Sequence, residues 1–273
     1  MRDRGQQLGG SITLVLLMAL TLLPFVAMLI TALHEPGSPP TGLSLPTRAH
    51  WDNFAAAFEA TNFLQLAASS SFIVLGVVPA ALLFSSLAGF ALGYLRPKGR
   101  RAVYVAFLLG LTIPFESAVI PLYYQAAELG TLNTQWALIL PLIGLAMPFG
   151  VFWMTGHFRS IPLELSEAAR MDGASTLQLF RHIHFPLAVP ALVTLGILQF
   201  LNTWNHFILA IVLIDDPSKR TMAGALGAFQ GQYQTDIVLL CAAAILLMAP
   251  TLIIFLLLQR HFVKAVLAGA IKG

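Results

Sequence analysis

Few side chains in the apolar stretches of this sequence could do chemistry. Glu116 is the only acidic residue inside a predicted membrane segment, and a carboxylate in hydrocarbon ordinarily faces a cavity or a partner. The bland alternative is a protonated or paired structural residue. Asn202, Trp204, Asn205 and His206 gather in the outer half of a later segment. Amides, an imidazole and an aromatic face suit the hydroxyls of a sugar, although Trp and His near an interface also serve as anchors. These five residues are the candidates for a solute path. Bond-breaking chemistry has no comparable support. The sequence contains no Gly-x-x-x-x-Gly-Lys-Ser/Thr loop for a nucleotide, no His-Glu-x-x-His, no Gly-x-Ser-x-Gly and no metal-spaced cysteines. His182 and His184 are two apart on a helical pattern and point away from each other. Cys241, the one cysteine, has no partner in the chain. No metal and no cofactor is expected in this chain, and it is not expected to be an enzyme.

The elements that carry these residues are dictated by composition. Of 273 residues, 58% are apolar and only 10% charged, against roughly 25% charged in a soluble domain. Mean hydropathy is +0.81. Six stretches reach the roughly 20 residues needed to cross a bilayer, near 12–33, 67–95, 102–122, 136–158, 187–214 and 237–260. Unpaired backbone groups are costly in hydrocarbon, so these should be helices. The expectation is an all-α membrane protein with six transmembrane helices in a single transmembrane domain over 1–273. The first stretch exceeds a signal-peptide core and lacks small residues at cleavage spacing, so it reads as a retained anchor.

Charge placement orients the segments. With the N-terminus in the cytoplasm and the helices alternating, twelve of the fifteen basic residues fall inside. Only Arg48, Lys219 and Arg220 fall outside, and none lies in the interior of a span. The positive-inside rule thus gives an N-in, C-in arrangement. The net charge of +3 needs no nucleic acid to account for it.

The longest outer connection, 34–66, opens with Pro36-Gly-Ser-Pro-Pro40 and continues with Trp51, Phe54, Phe58 and Leu64 at near-helical spacing. An amphipathic outer helix is expected, serving as an interfacial anchor or a partner contact. Gly89 and Gly93 form a small-xxx-small pair that permits close helix packing. Pro114, Pro121, Pro141 and Pro148 should kink the third and fourth spans.

The connection from about 159 to 186 is the most articulate part of the chain. Pro162 suits a first helical turn, and Glu164 and Glu167 suit the positive end of the helix dipole. Gly173 should end that helix in a left-handed cap. Ser175 with Gln178 reads as a capping box that opens a second short helix. Leu179, Phe180 and Ile183 would form its apolar face, with Gln178, Arg181 and His182 exposed.

The run Glu167-Ala-Ala-Arg-Met-Asp-Gly-Ala174, with nine residues between its glycine and Ile183-His-Phe-Pro186, resembles the EAA loop of permease subunits in type I ABC importers. Phe180, Trp204-Asn205 and the tail Gly269-Ala-Ile-Lys-Gly273 are similar to the carbohydrate-uptake branch, in particular the second six-helix permease of maltose-type systems. The likeness runs from about residue 12 to the end. Phe185 stands where leucine is usual, His206 where an acid is common, and Ser70-Ser71 where Asn-Ser is frequent.

The resemblance implies the type I importer permease fold in a bacterial cytoplasmic membrane and a coupling role for this loop. Glu167, Ala168, Ala169, Asp172, Gly173, Ala174, Phe180 and Pro186 would serve coupling, with the tail around Lys272 reaching toward the ATPase. It further implies a second homologous permease, a dimer of ATP-binding subunits that holds the ATP and Mg, and an extracytoplasmic sugar-binding protein. Glu116 would favour an amino sugar, and a glycerophosphate compound stays open. The rival is a secondary transporter or channel that works without ATP. It is weakened by a single intramembrane acid and by having only six spans.

Overall fold

A computed structural model describes residues 4–38, 43–226 and 236–270, with side chains described for 10–38, 43–226 and 236–257. Helices dominate, and no strand occurs among the described residues. The chain divides into two units, one of Met1–Phe63 with Ala225–Pro250 and the other of Leu64–Gly224 with Thr251–Gly273.

In the first unit, helix α1 (Arg4–Ala32) is the expected first span, and nothing in its most apolar window is buried. Helix α2 (Asp52–Ala60) forms in the outer connection, where a helix was expected, and it buries one polar and one small residue. Asn53 and Ala57 turn inward, while Trp51 and Phe58 stay exposed and Leu64 belongs to the next helix. The reason is a capping contact. Asn53 Nδ2 donates to Ala32 O and His34 O, both at 2.8 Å, and satisfies carbonyls left free at the end of α1. Ala32, Ala57, Ala242 and Ala243 pack together at this point.

The second unit holds the bundle. Helix α3 (Phe63–Phe90) continues through a π-turn, Ala91–Leu95, that ends at left-handed Arg96. The third predicted span, 102–122, is not one helix. Helix α4 (Arg100–Gly110) and helix α5 (Phe115–Glu128) meet at 98°. Pro114 lacks the N–H to continue α4 and sits extended at the start of α5 (φ −60°, ψ 129°), so the kink becomes a break. Helix α6 (Trp136–Ser160) keeps Pro141 and Pro148 inside a continuous helix.

The fifth span also departs from expectation. Helix α9 (Phe185–Trp204) stops at Trp204, and a short helix α10 (Ile208–Leu213) begins after a turn. Helix α11 (Ile237–Ala270) runs beyond the predicted end at 260. The described residues therefore hold five helices long and apolar enough to cross a membrane, or six if the bent α4–α5 pair counts as one span.

Two apolar clusters fill the second unit. Ile73, Val77, Leu138, Leu142, Leu209 and Leu213 pack at the end where α3, α6 and α10 meet. Phe90, Met154, Phe158, Ala188, Leu192 and Leu195 pack at the other. Glycine lets α3 and α6 close between them: a Cβ on Gly93 would meet Thr155 O at 3.0 Å and Phe158 Cβ at 3.1 Å.

Candidate functional site

The loop that carries the Glu-Ala-Ala sequence folds onto the second of these clusters. Helix α7 (Leu163–Met171) starts just after extended Pro162 and ends on Asp172. Gly173 is left-handed (φ +82°), its N–H bonds Arg170 O at 3.0 Å, and Ala174 N–H reaches back to Ala169 O at 3.0 Å. That pair of bonds is a Schellman closure, and its left-handed position costs glycine no Cβ clash. The chain then turns at Ser175, whose Oγ accepts from Gln178 N–H while Ser175 N–H donates to Gln178 Oε1 at 2.7 Å. This is the reciprocal capping box expected from sequence.

The expected second short helix does not stand alone. Helix α8 (Thr176–Leu179) passes through a π-turn (Phe180–His184) directly into α9. No glycine or proline stops it before Phe185, and Pro186 sits in the first turn of α9, where its missing N–H is tolerated.

Of the residues expected to couple, Glu167, Ala168, Asp172 and Gly173 are exposed, and Ala169 and Ala174 are half-buried. Ala169, Asp172, Gly173 and Ala174 line one cleft of about 260 Å³ together with Gln178, His182 and Ile183. Glu167 and Ala168 are outside that lining. Phe180 faces the bundle instead, 5.0 Å from the Phe90 ring and 5.8 Å from Phe185. Pro186 is exposed on α9. The expected tail at Lys272 lies outside the described residues. Gln178, Arg181 and His182 are set as the pattern predicted: Gln178 and His182 are exposed, Arg181 lies in the same outward turn, and Leu179 is buried.

Sequence reasoning missed Ser166 and His184. Both are 1% exposed, and Ser166 Oγ lies 2.9 Å from His184 Nε2. A buried polar residue in an otherwise solvated helix was the available signal, and it required knowing which face of α7 turns inward.

The polar candidates for a solute path separate in space. A cavity of about 590 Å³ opens beside the α4–α5 break, with Asn202, His206 and Gln199 among its lining residues next to Phe115 and Phe149. His206 stacks edge-on to Phe115 at 4.7 Å. Gln199, 6% exposed, donates from Nε2 to Ala146 O at 3.3 Å. It was not singled out from sequence because it sits among apolar residues of α9 with no motif around it. Trp204 is buried, and Asn205 closes α9 with Nδ2 donating to Leu201 O at 2.8 Å. Glu116 is exposed in the first turn of α5, where the helix dipole favours a carboxylate. Glu116, Trp204 and Asn205 do not line the cavity. Among the described residues no cluster of His, Cys, Asp and Glu could hold a metal ion.

A multi-span helical bundle with a broken helix, a mostly apolar cavity carrying a few polar side chains, and a glycine-closed helical excursion is built as a transport subunit. The chain belongs to the family described as binding-protein-dependent transport system inner membrane component, which it matches over residues 82–268. It is a multi-pass inner-membrane permease of the type I, carbohydrate-uptake ABC importers. It is 37% identical over 236 residues to the probable ABC transporter permease YurM of Bacillus subtilis, covering 84% of this chain and 76% of that protein. It is 33% identical to the melibiose/raffinose/stachyose import permease MelC of the same species, over 92% of this chain and 91% of that one. The diacetylchitobiose uptake permease NgcG of Streptomyces coelicolor is 30% identical over 95% of this chain and 87% of its own. The fold matches a chain of a bacterial ABC transporter that imports the acidic polysaccharide alginate, with TM-score 0.80 and 22% identity over 96% of this chain and 99% of that chain.

Proposed function

We propose that this chain is one half of the translocation path of a sugar importer and that α7 docks it to a separate ATPase. The observation that carries the coupling role is the exposed edge of α7 and its Schellman turn. It offers Glu167, Ala168, Asp172 and Gly173 to a partner while the next helix runs straight into the bundle. Movement imposed on α7 then has a short covalent and packed route to the cavity-lining helix α9.

On this reading the permease domain spans 1–273 with N-in, C-in orientation, pairs with a homologous permease and serves two ATP-binding subunits that hold ATP and Mg. An extracytoplasmic binding protein delivers the solute. Oligosaccharides are the favoured class. Relatives named for melibiose, raffinose, stachyose and diacetylchitobiose support it, as do the amides and imidazole on the cavity wall. The amino-sugar form would rest on Glu116, which stands outside that wall, so a neutral sugar is preferred.

The test is gentle isolation of the chain from its native membrane and identification of what co-elutes. A P-loop ATPase and a second permease support the proposal, and the accompanying binding protein can be titrated with a panel of neutral and amino oligosaccharides. A chain that emerges alone, with uptake that survives ATP depletion while the proton gradient is held, would sink it.

A further inference from the structure

Helix α7 touches the bundle through very little. Ser166 is its only buried side chain, while Leu163, Leu165 and Met171 are 46%, 46% and 88% exposed. The residue that meets Ser166 comes from the far side of the loop. His184 ends the π-turn, and the buried face there steps by five residues from Leu179 to His184 and then by four to Ala188 and Leu192. The wider turn keeps all four side chains on one face, as π-bulges at functional positions often do. His184 lies in an aromatic cage, with ring centroids 4.3 Å from Tyr94, 4.9 Å from Phe90 and 5.9 Å from Phe158. The same Tyr94 ring carries the Arg170 guanidinium of α7 at 5.7 Å. His184 Nδ1 is buried without a hydrogen-bond partner, so Ser166 Oγ, on Nε2, is the only hydrogen bond this imidazole makes among the described residues.

We infer that Ser166 and His184 form a latch that fixes α7 to the foot of α9 and passes its displacement to the transmembrane bundle. This rests on the docking role proposed for α7. Both are positioning residues, since neither is exposed to a docked partner. A single directional bond at the only buried point of a short helix sets where the helix sits without resisting rigid-body movement of the pair. Were the bond absent, α7 would keep its own Schellman closure and capping box but could slide beneath the aromatic cage. Closure of a docked ATPase would then be taken up by that slippage.

The test uses the complete importer with its ATPase subunits, in a Cys241→Ser background carrying a Leu145→Cys reporter on the cavity wall. Maleimide labelling of the reporter is monitored with and without ATP, Mg and vanadate, and trapped nucleotide is counted in parallel. In the parent, with the latch intact, the labelling rate should differ about fivefold or more between the two states. Ser166→Ala and His184→Phe should each trap nucleotide normally yet lose that difference. His184→Gln, which keeps a nitrogen within reach of Ser166 Oγ, should retain it. The double variant Ser166→Ala/His184→Phe should be no worse than either single one, as expected for two ends of one bond. Ser166→Ala removes one oxygen and no carbon, so its result decides if His184→Phe misassembles.

A parent-like response in Ser166→Ala overturns the latch. Gly173→Val separates the two failures. If it alone loses the response, the docking role stands and only the latch is wrong. If it too responds like the parent, the docking role falls with the latch.

Discussion

A Cβ placed on Gly89 would stand 2.6 Å from Met154 Cβ and 2.9 Å from the Met154 backbone carbonyl carbon. Helices α3 and α6 are thus in backbone contact at this level, beside the cluster on which the loop of α7 rests. Gly89→Val forces the two helices apart where α6 backbone, not a flexible side-chain tip, is the obstacle. Overpacking of this kind costs about 1–3 kcal/mol. The expected result is a lower unfolding midpoint in detergent. An unchanged midpoint would mean that the two helices have room for a side chain between them.

Gly173→Val places a β-branched residue at φ +82°. The left-handed conformation costs roughly 1–2 kcal/mol for an ordinary residue, more when branched. The variant should reach the membrane in normal amount but lose nucleotide-driven uptake. Normal uptake would contradict the docking role of α7.

Asn133 joins two parts of the second unit. Its backbone is left-handed (φ +64°), its Oδ1 accepts from Asp215 N–H at 3.0 Å and Asp216 N–H at 2.9 Å, and its N–H donates to Leu213 O at 3.0 Å. Asn133→Ala loses both side-chain bonds and strains the backbone, and about 1–3 kcal/mol of stability should go with them. Asn133→Gly relieves the strain but not the lost bonds, so it should fall between Ala and the parent. Equal midpoints for Ala and Gly would show that φ is not strained here.

The turn at Asp216 has a defined acid response. Hydrogen bonds from Ser218 Oγ, at 2.7 Å, and Ser218 N–H, at 3.0 Å, hold the Asp216 carboxyl below its ordinary value, with Lys219 adding to the effect. A depressed folded-state pKa means that the stabilisation is present above the unfolded value and fades as pH falls through the folded one. The protection of the Ser218 amide against exchange, taken relative to its intrinsic rate at each pH, should therefore fall on acidification into that range, and Asp216→Asn should remove that dependence. A pH-independent protection factor for the Ser218 amide in the parent would refute this.

Within the cavity, Gln199→Leu, Asn202→Ala and His206→Ala should each slow sugar uptake about tenfold while nucleotide trapping stays normal, the expected loss when one hydrogen-bonding group facing a polar solute is removed. Glu116→Gln, outside the lining, should change uptake little. A large loss in Glu116→Gln with no loss in the other three would return Glu116 to the path and revive the amino-sugar form.

The membrane class, the approximate spans and the local form of the Glu-Ala-Ala loop were legible in the sequence because each depends on short-range chemistry. A run of apolar residues must be helical in hydrocarbon whatever its neighbours do. The Gly173 closure and the Ser175–Gln178 box are settled within a few residues of backbone. The family resemblance was carried by residues of that same loop.

Only tertiary structure decided which polar groups meet. Pro114 announced a kink, but whether α4 and α5 bend slightly or break at 98° depends on what packs around the freed backbone. Asn202, Trp204, Asn205 and His206 are neighbours in sequence, yet the end of α9 at Trp204 turns Asn202 and His206 to the cavity and leaves the other two off its wall. Ser166 and His184 lie eighteen positions apart, and no local rule pairs them. Burial of a polar group and the partner that satisfies it are properties of the packed chain, because they depend on elements that meet only after folding.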